Sequence, residues 1–159
     1  VHLYPDEYAR ARSLVRFLNT AVDVELPESE ATAFTLHLVN AGFATGDLSW
    51  TYTMTGVIQQ ILDVAASSMG VDLNPTSVNV ARFITHLRYL FVRIRTGEQL
   101  HDEMLTVVRT INEAYPQAST CAQTLAGLIE LRLGNALSAN EIAYLTLHCA
   151  RLSSPPPQK

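Results

Sequence analysis

The chain has 159 residues, of which 48% are hydrophobic and 16% charged, and its formal net charge is −4. This length accommodates one well-packed domain with an incomplete neighbour, and the hydrophobic content excludes a disordered chain. No run of five or more basic residues occurs, which argues against direct nucleic-acid binding by this chain. No stretch approaches the roughly 20 apolar residues of a membrane span and no signal peptide opens the sequence, so we expect a cytoplasmic location.

Residues 4 to 41 are predicted to form two helices because they repeat residues 115 to 152 at a constant offset of 111 positions. Nine of the 38 aligned positions are identical, including Tyr-Pro at the start and Thr-Leu-His near the end. The match has no gap and includes a proline, a capping position and a histidine, so chance explains it poorly. Only the last two helices of a module are repeated. We therefore expect the chain to begin inside the first of two tandem modules.

Apolar residues at helical spacing predict five further helices, each bounded by turn or capping signals. In chain order they are 54–69, the segment from the turn at 74–76 to Gly97, about 102–115, about 117–133, and 138–152. Gly70 and Gly134 follow helix ends, and Ser138 to Glu141 has the pattern of a capping box. Short connections and the lack of a strand pattern predict an all-α fold, namely a five-helix antiparallel bundle preceded by the last two helices of a truncated copy.

The two cysteines, Cys121 and Cys149, have no zinc-binding spacing. Both fall in apolar helical patterns, where a cysteine usually behaves as a small buried apolar residue. We therefore expect buried free thiols in preference to a disulfide.

One histidine lies on the long second helix of the bundle, among basic residues. Arg82, His86, Tyr89 and Arg93 are spaced four, three and four residues apart, so they share one stripe of the helix surface. Two flanking arginines lower the pKa of an imidazole and keep it neutral, and they can neutralise an anion attached to it later. The alternative is an ordinary solvated basic edge.

The last helix carries a second histidine, His148, with Arg151 one turn away and able to hold an anion. Glu141 lies about two turns from His148, too far for contact, and is assigned to the capping box. In the first copy of the repeat, His37 takes the position of His148, but Asn40 replaces Arg151. His37 therefore has weaker charge support.

Metal binding and catalysis find little support in the sequence. No two histidines have the i, i+4 spacing of a helical metal pair, and no H-E-x-x-H pattern occurs. A glycine-rich phosphate loop and a Ser-His-Asp arrangement are missing as well. The remaining histidines, His2 and His101, are taken as ordinary surface residues. We expect no metal, no cofactor and no enzymatic activity.

Three segments resemble the phosphotransferase-system regulation domain (PRD) of the bgl/sac-type transcriptional antiterminators. They are LPESEATAFTLHLVNA at 26–41, SVNVARFITHLRYLFVRI at 77–94 and NEIAYLTLH at 140–148. Three histidine motifs in register make the resemblance specific, and it covers nearly the whole chain. It implies the C-terminal part of a first PRD at 1–45, a linker at 46–53, a complete second PRD at 54–153 and a flexible tail at 154–159.

The resemblance also implies partners. Domains of this family are five-helix bundles that dimerise and are phosphorylated on histidine by the phosphocarrier HPr and by the B component of a sugar permease. Phosphorylation controls whether a separate N-terminal domain dimerises on RNA. By motif match, His86 and His148 are the two phosphoacceptors of the second PRD, and His37 is the second acceptor of the first. Cys149 departs from the family pattern, which usually has isoleucine after this histidine.

Two other functions stay open at this stage. The chain can be the PRD of a DNA-binding transcriptional activator, or a structural dimerisation module that has lost the phosphate chemistry. The stripe of Arg82, His86 and Arg93 favours a phosphorylated module, with Arg151 as a third supporting cation.

Overall fold

The computed structural model describes residues 3–22, 25–43, 47–74, 76–100 and 105–153. These residues form helices and no strand, which confirms the predicted all-α fold. The helices in the described ranges are α1 (Pro5–Ala21), α2 (Glu30–Phe43), α3 (Leu48–Met69), α4 (Val78–Thr96), α5 (Leu105–Ala114), α6 (Pro116–Leu133) and α7 (Ala139–Leu152). None of them is both long and apolar enough to cross a membrane. The tail predicted at 154–159, the helix start near 102 and the histidines at 2 and 101 lie outside the described residues.

The chain divides into two compact units, one up to Gly56 and one from Val57 onwards. In the first unit α1 packs against α2. Their shared core contains the residues Ala11, Val15 and Ala31 with Tyr8, Leu26 and Phe34 packed around them. Asn19 on α1 holds the segment that leads to α2. Its side chain donates to the carbonyl of Leu26 at 3.0 Å and accepts from the N–H of Leu26 at 2.8 Å.

The repeat extends from sequence to local structure. Tyr4 and Tyr115 precede α1 and α6 with nearly the same backbone angles, φ −137° and ψ 61° against φ −131° and ψ 64°, and a proline follows each. Thr35 and Thr146 are both buried and both donate their hydroxyl to the carbonyl four residues earlier. Each of the two copies of the repeat therefore forms the same kind of helix pair.

Helix α7 begins earlier in the repeat than α2 does, and the capping residue explains the difference. Ser138 precedes α7 and its hydroxyl accepts a hydrogen bond from the N–H of Glu141 at 3.2 Å. Pro27 takes the equivalent place before α2, and a proline side chain has no oxygen with which to cap a helix.

Helix α3 begins at Leu48, before the predicted start at residue 54, so part of the segment expected to be a linker is helical. The cause is a capping aspartate. The carboxylate of Asp47 accepts hydrogen bonds from the N–H groups of Ser49 at 3.0 Å and Trp50 at 3.2 Å. These bonds satisfy backbone donors that the first turn of a helix otherwise leaves without partners.

In the second unit α7 packs against α4, α5 and α6. The largest fully buried apolar side chains are Ile58, Ile61, Phe83, Leu87, Leu90, Phe91, Leu125, Ile129 and Leu145. Gly97 and Gly134 end α4 and α6 with φ of 72° and 74°, left-handed angles that favour glycine. Cys121 and Cys149 are free and buried, as the sequence predicts. Helices α3 to α7 are compatible with the predicted five-helix bundle.

Candidate functional site

The packing of α7 against α4 brings two of the predicted histidines together. The ring centroids of His86 and His148 are 4.5 Å apart, with an angle of 26° between the ring planes. Both side chains are half-buried. The sequence placed these histidines on separate stripes of separate helices, and their direct contact is a tertiary feature.

Two further aromatic rings extend this pair into a stack. Tyr144 lies against His86 with centroids 5.7 Å apart, and Phe83 lies against His148, also at 5.7 Å. The four residues, here called the ring stack, alternate between α7 and α4. Phe83 is fully buried and Tyr144 is exposed, so the stack runs from the core to the surface. The sequence contains a signal for this stack. The two rings on α4 are three residues apart and the two on α7 are four apart, so each pair lies on one face of its helix.

Both imidazoles of the ring stack are held in the neutral form. The pKa of His86 is lowered from 6.5 to about 4, first by burial, then by His148 and Arg93, against an opposing effect of Glu141. The pKa of His148 is also lowered to about 4, by burial and then by Arg151. Burial is therefore the leading cause, where the sequence argument relied on flanking arginines. A neutral imidazole keeps the nitrogen lone pair that a nucleophile needs.

One buried ring nitrogen of the pair has no hydrogen-bond partner among the described residues. The Nε2 atom of His86 is buried and makes no hydrogen bond to any of the described residues. Buried polar atoms are usually paired, and the exceptions concentrate at functional sites. This atom therefore marks His86 as the more unusual member of the pair.

An open depression of about 490 Å³ lies beside the two histidines. Its lining residues are Thr76, Val78, Ala81, Arg82, Thr85, His86, Tyr89 and His148. Arg82 thus lies at the same depression as both histidines. Val78 and Tyr89 are largely exposed, so the lining of the depression combines apolar and aromatic surface with the guanidinium and two threonine hydroxyls.

Arg93, the second arginine of the α4 stripe, is bound to a carboxylate. Its Nε and Nη2 atoms donate to the two carboxylate oxygens of Glu141 at 2.7 and 2.8 Å. The Glu141 side chain is fully buried and also accepts the backbone N–H of Leu100 at 3.2 Å. A buried charge of this kind requires its partner. Arg93 therefore acts on His86 through its positive charge, while its guanidinium holds Glu141.

The capping box predicted at the start of α7 is only half formed. Ser138 caps the N–H of Glu141, but the Glu141 side chain does not return to the N–H of Ser138. That N–H donates instead to Oε1 of Gln99 at 3.0 Å. The prediction of a reciprocal box was wrong because the half-buried guanidinium of Arg93 is a stronger partner for the carboxylate.

The remaining predicted residues lie at different places. Arg151 is exposed on the last turn of α7, where its charge acts on His148. Its backbone carbonyl accepts a hydrogen bond from Nδ2 of Asn79 at 2.9 Å, which ties the end of α7 to the start of α4. His37 is exposed on α2, in the first unit. Among the described residues, no group of three histidine, cysteine, aspartate or glutamate side chains is placed to hold a metal ion.

Comparison with known proteins gives consistent matches. A family model described as "PRD domain" matches residues 1–41 and 59–152. The transcription antiterminator LicT of Bacillus subtilis (strain 168) is 29% identical over 150 residues, which cover 94% of this chain and 54% of LicT. Protein GlcT of Staphylococcus aureus (strain JH9) is 31% identical over 153 residues, which cover 93% of this chain and 52% of GlcT. The chain spans about half the length of these curated relatives.

Proposed function

This chain belongs to the PRD domain family, and we propose that it is the regulatory region of a bacterial transcriptional antiterminator whose histidines accept phosphoryl groups from the sugar phosphotransferase system. The similarity to a transcription antiterminator over 94% of the chain supports the regulatory part of this proposal. The observation that carries the chemical part is the pair of neutral histidines at an open depression beside Arg82.

The proposed reaction is an in-line phosphoryl transfer between two histidines. A ring nitrogen of His86 or His148 attacks the phosphorus of a phosphohistidine on the phosphocarrier HPr, a new N–P bond forms, and the donor imidazole leaves. A pKa near 4 leaves both rings neutral at physiological pH, so neither must lose a proton before it attacks. The same reaction is proposed for His37, with HPr or the B component of a sugar permease as donor.

The arginines compensate the charge that the product carries. A phosphoryl group adds roughly −1.5 to −2 charges at neutral pH. We assign Arg82 to direct support, because it lines the depression shared with both histidines, and Arg151 to support of His148. Arg93, which is paired with Glu141, contributes a positive electrostatic potential at His86.

Phosphorylation in the ring stack changes how two helices pack. The rings of His86 and His148 are in contact, so a phosphoryl group on either one adds volume and negative charge between α4 and α7. We propose that this change alters a homodimer contact and thereby controls RNA binding by a separate N-terminal domain. In this proposal the chain is a cytoplasmic phosphoacceptor and not an enzyme. Its proposed parts are the end of a first PRD (1–45), a second PRD that ends at residue 153 and a tail (154–159), and the segment 46–53, expected to be a linker, includes the start of α3.

Incubation with enzyme I, HPr and phosphoenolpyruvate, followed by phosphopeptide mapping of acid-labile phosphate, tests the proposal. We expect label on peptides that contain His86 and His148, and loss of the first label in a His86→Ala variant with an unchanged circular dichroism spectrum. Arg82→Gln should slow labelling, whereas Arg132→Gln, which removes an exposed charge on α6, should not. A chain that takes up no phosphate under these conditions would favour the structural dimerisation module instead.

A further inference from the structure

Exposed apolar side chains gather around the histidine pair. Among the described residues of the second unit, six large hydrophobic side chains are exposed. They are Val78, Tyr89, Val107, Tyr115, Leu131 and Tyr144. Val78 and Tyr89 line the depression of the pair, and Tyr144 stacks on His86. These three residues are here called the apolar rim. Exposed hydrophobic residues are common one at a time, whereas a group of them at one site is typical of an interaction surface.

Two members of the apolar rim lie at opposite ends of one exposed stripe of α4. The stripe consists of Val78, Arg82, Thr85 and Tyr89, which all line the depression. From its first to its last residue it spans about 16 Å along the helix axis. It therefore places a guanidinium and a hydroxyl between two apolar side chains. Aromatic residues and arginine are the residue types that protein interfaces favour.

The width of the stripe favours a protein over a small molecule as the occupant. A molecule of the size of free phosphate that reaches the histidines covers neither end of the stripe. A transient protein partner buries up to about 600 Å² of each surface, which corresponds to a patch roughly 28 Å across. Such a patch, centred on the histidines, covers Val78 and Tyr89 together.

The centre of the stripe favours a phosphorylated partner over a second copy of the chain. A twofold dimer through this face would bring the two copies of Arg82 towards each other and would cover both histidine pairs. Like charges placed opposite each other disfavour a complex. A partner that carries a phosphoryl group instead brings negative charge to the guanidinium of Arg82, beside the ring nitrogens that are its proposed acceptors.

We propose, building on the proposed function, that the apolar rim is the docking surface for the protein that donates the phosphoryl group. Val78 and Tyr89 are positioning residues, which hold the donor's phosphohistidine over His86 and His148 and touch no reacting atom. In the transfer an N–P bond forms at the acceptor ring while the donor's N–P bond breaks. The acceptor ring keeps the proton on its other nitrogen, and the donor ring, protonated on its other nitrogen, leaves as neutral imidazole.

Two phosphoryl donors of different size test the inference, in chains that all carry His37→Ala so that the label reports the histidine pair. Phosphorylated HPr is the protein donor, and phosphoramidate, which phosphorylates imidazoles directly, is the small donor. For Val78→Ala and Tyr89→Ala, we expect the HPr concentration that gives half the maximal labelling rate to rise about fivefold or more, with the maximal rate unchanged within about twofold. The rate of labelling by phosphoramidate should not change.

Leu131→Ala is the matched control. It removes a side chain that is 80% exposed on α6 and outside the apolar rim, so labelling by both donors should equal that of the unsubstituted chain. Alanine favours a helix more than valine, tyrosine or leucine does, so all three variants should fold. Circular dichroism checks this expectation.

Each other outcome has a distinct meaning. If Tyr89→Ala depends on HPr concentration as the unsubstituted chain does, the inference is overturned and the proposed function stands. Slower labelling by phosphoramidate also overturns it, because the substitution then acts on the histidines themselves. Loss of a dimer in sedimentation with unchanged labelling by HPr assigns the apolar rim to a second copy. If phosphoramidate labels the pair and HPr does not, the inference and the proposed function both fail.

Discussion

The two helix pairs of the repeat have matching sequences and different environments. Leu14 of the first pair is 38% exposed, whereas its counterpart Leu125 is completely buried. His37 is exposed on α2, whereas its counterpart His148 is half-buried and stacked on His86. The motif therefore supplies the residue types, and the helices packed around it decide what those residues do.

Helix α4 makes the largest difference. It packs against α7 and gives His148 a second imidazole as neighbour and Glu141 a guanidinium. Glu30, the counterpart of Glu141, is half-buried at the start of α2. A histidine at the repeated position thus becomes part of a built site only where α4 covers it.

The largest effect in this comparison is expected from the two repeated glutamates. Glu141→Ala leaves the guanidinium of Arg93, whose side chain is only 24% exposed, without its carboxylate. We expect the free energy of unfolding to fall by about 3–5 kcal/mol. Glu30→Ala is the matched control and should cost less than about 1 kcal/mol, because it removes only a favourable charge in a first turn. Urea denaturation followed by circular dichroism measures both, and equal losses would contradict the comparison.

The repeated leucines give the next effect. Leu125→Ala removes a fully buried side chain from the second unit and should lower the free energy of unfolding by about 2–5 kcal/mol. Leu14→Ala, the same substitution at the equivalent position, should cost less than about 1 kcal/mol, since much of that side chain already faces solvent. The difference appears in urea midpoints of the two variants. A larger loss for Leu14→Ala would mean that the first pair has an equally tight core.

Acid should destabilise the second unit through the ring stack. The pKa values of His86 and His148 are lowered from 6.5 to about 4 in the folded chain. Between about pH 4 and pH 6.5 the unfolded chain therefore binds more protons than the folded chain. The contribution of the two histidines to stability is fully present above about pH 6.5 and is lost as the pH falls towards 4. A variant with both His86→Gln and His148→Gln should show a flatter dependence of unfolding free energy on pH across this range. Identical acid slopes for the two chains would show that the histidines are not buried as described.

The smallest effect concerns the ion pairs of the two units. Arg12 and Glu28 are 2.9 Å apart, but their side chains are 48% and 68% exposed. Solvent and salt screen such a pair, so Glu28→Gln should change the free energy of unfolding by about 1 kcal/mol or less. The change should shrink further in concentrated salt. A loss as large as that of Glu141→Ala would remove the distinction between the surface pair and the buried pair.

Local sequence signals were sufficient for most of the fold. Helical spacing, glycine stops and the Tyr-Pro repeat predict α6, α7 and the pair α1 and α2, because these signals act within a few residues of the chain. The early start of α3 was missed, although Asp47 is a recognisable capping residue. Trp50 to Thr53 favour strands over helices by intrinsic propensity, and the cap outweighs that preference.

The sequence singled out the residues of the candidate site one by one, but it did not show how they are arranged. His86 and Arg82 were singled out by their place on the stripe of α4 and His148 by the repeat, and the family resemblance supplied the expected role of the two histidines. The partnership of Arg93 with Glu141 joins residues 48 positions apart. It was missed because sequence spacing reports neighbours on one helix only. Burial as the main cause of the lowered histidine pKa values is likewise a consequence of tertiary packing.

The bond from Leu100 to Glu141 gives the second unit a built-in reporter. The amide of Leu100 follows the end of α4, outside the helices, yet its hydrogen is held by the Glu141 carboxylate. Backbone amides outside regular structure usually exchange quickly with deuterated solvent, whereas this one can exchange only when the carboxylate releases it. The exchange rate of the Leu100 amide therefore reports how often the junction of α4 and α7 opens. Deuterium uptake at this single position can follow events at the neighbouring histidines without a label on either of them.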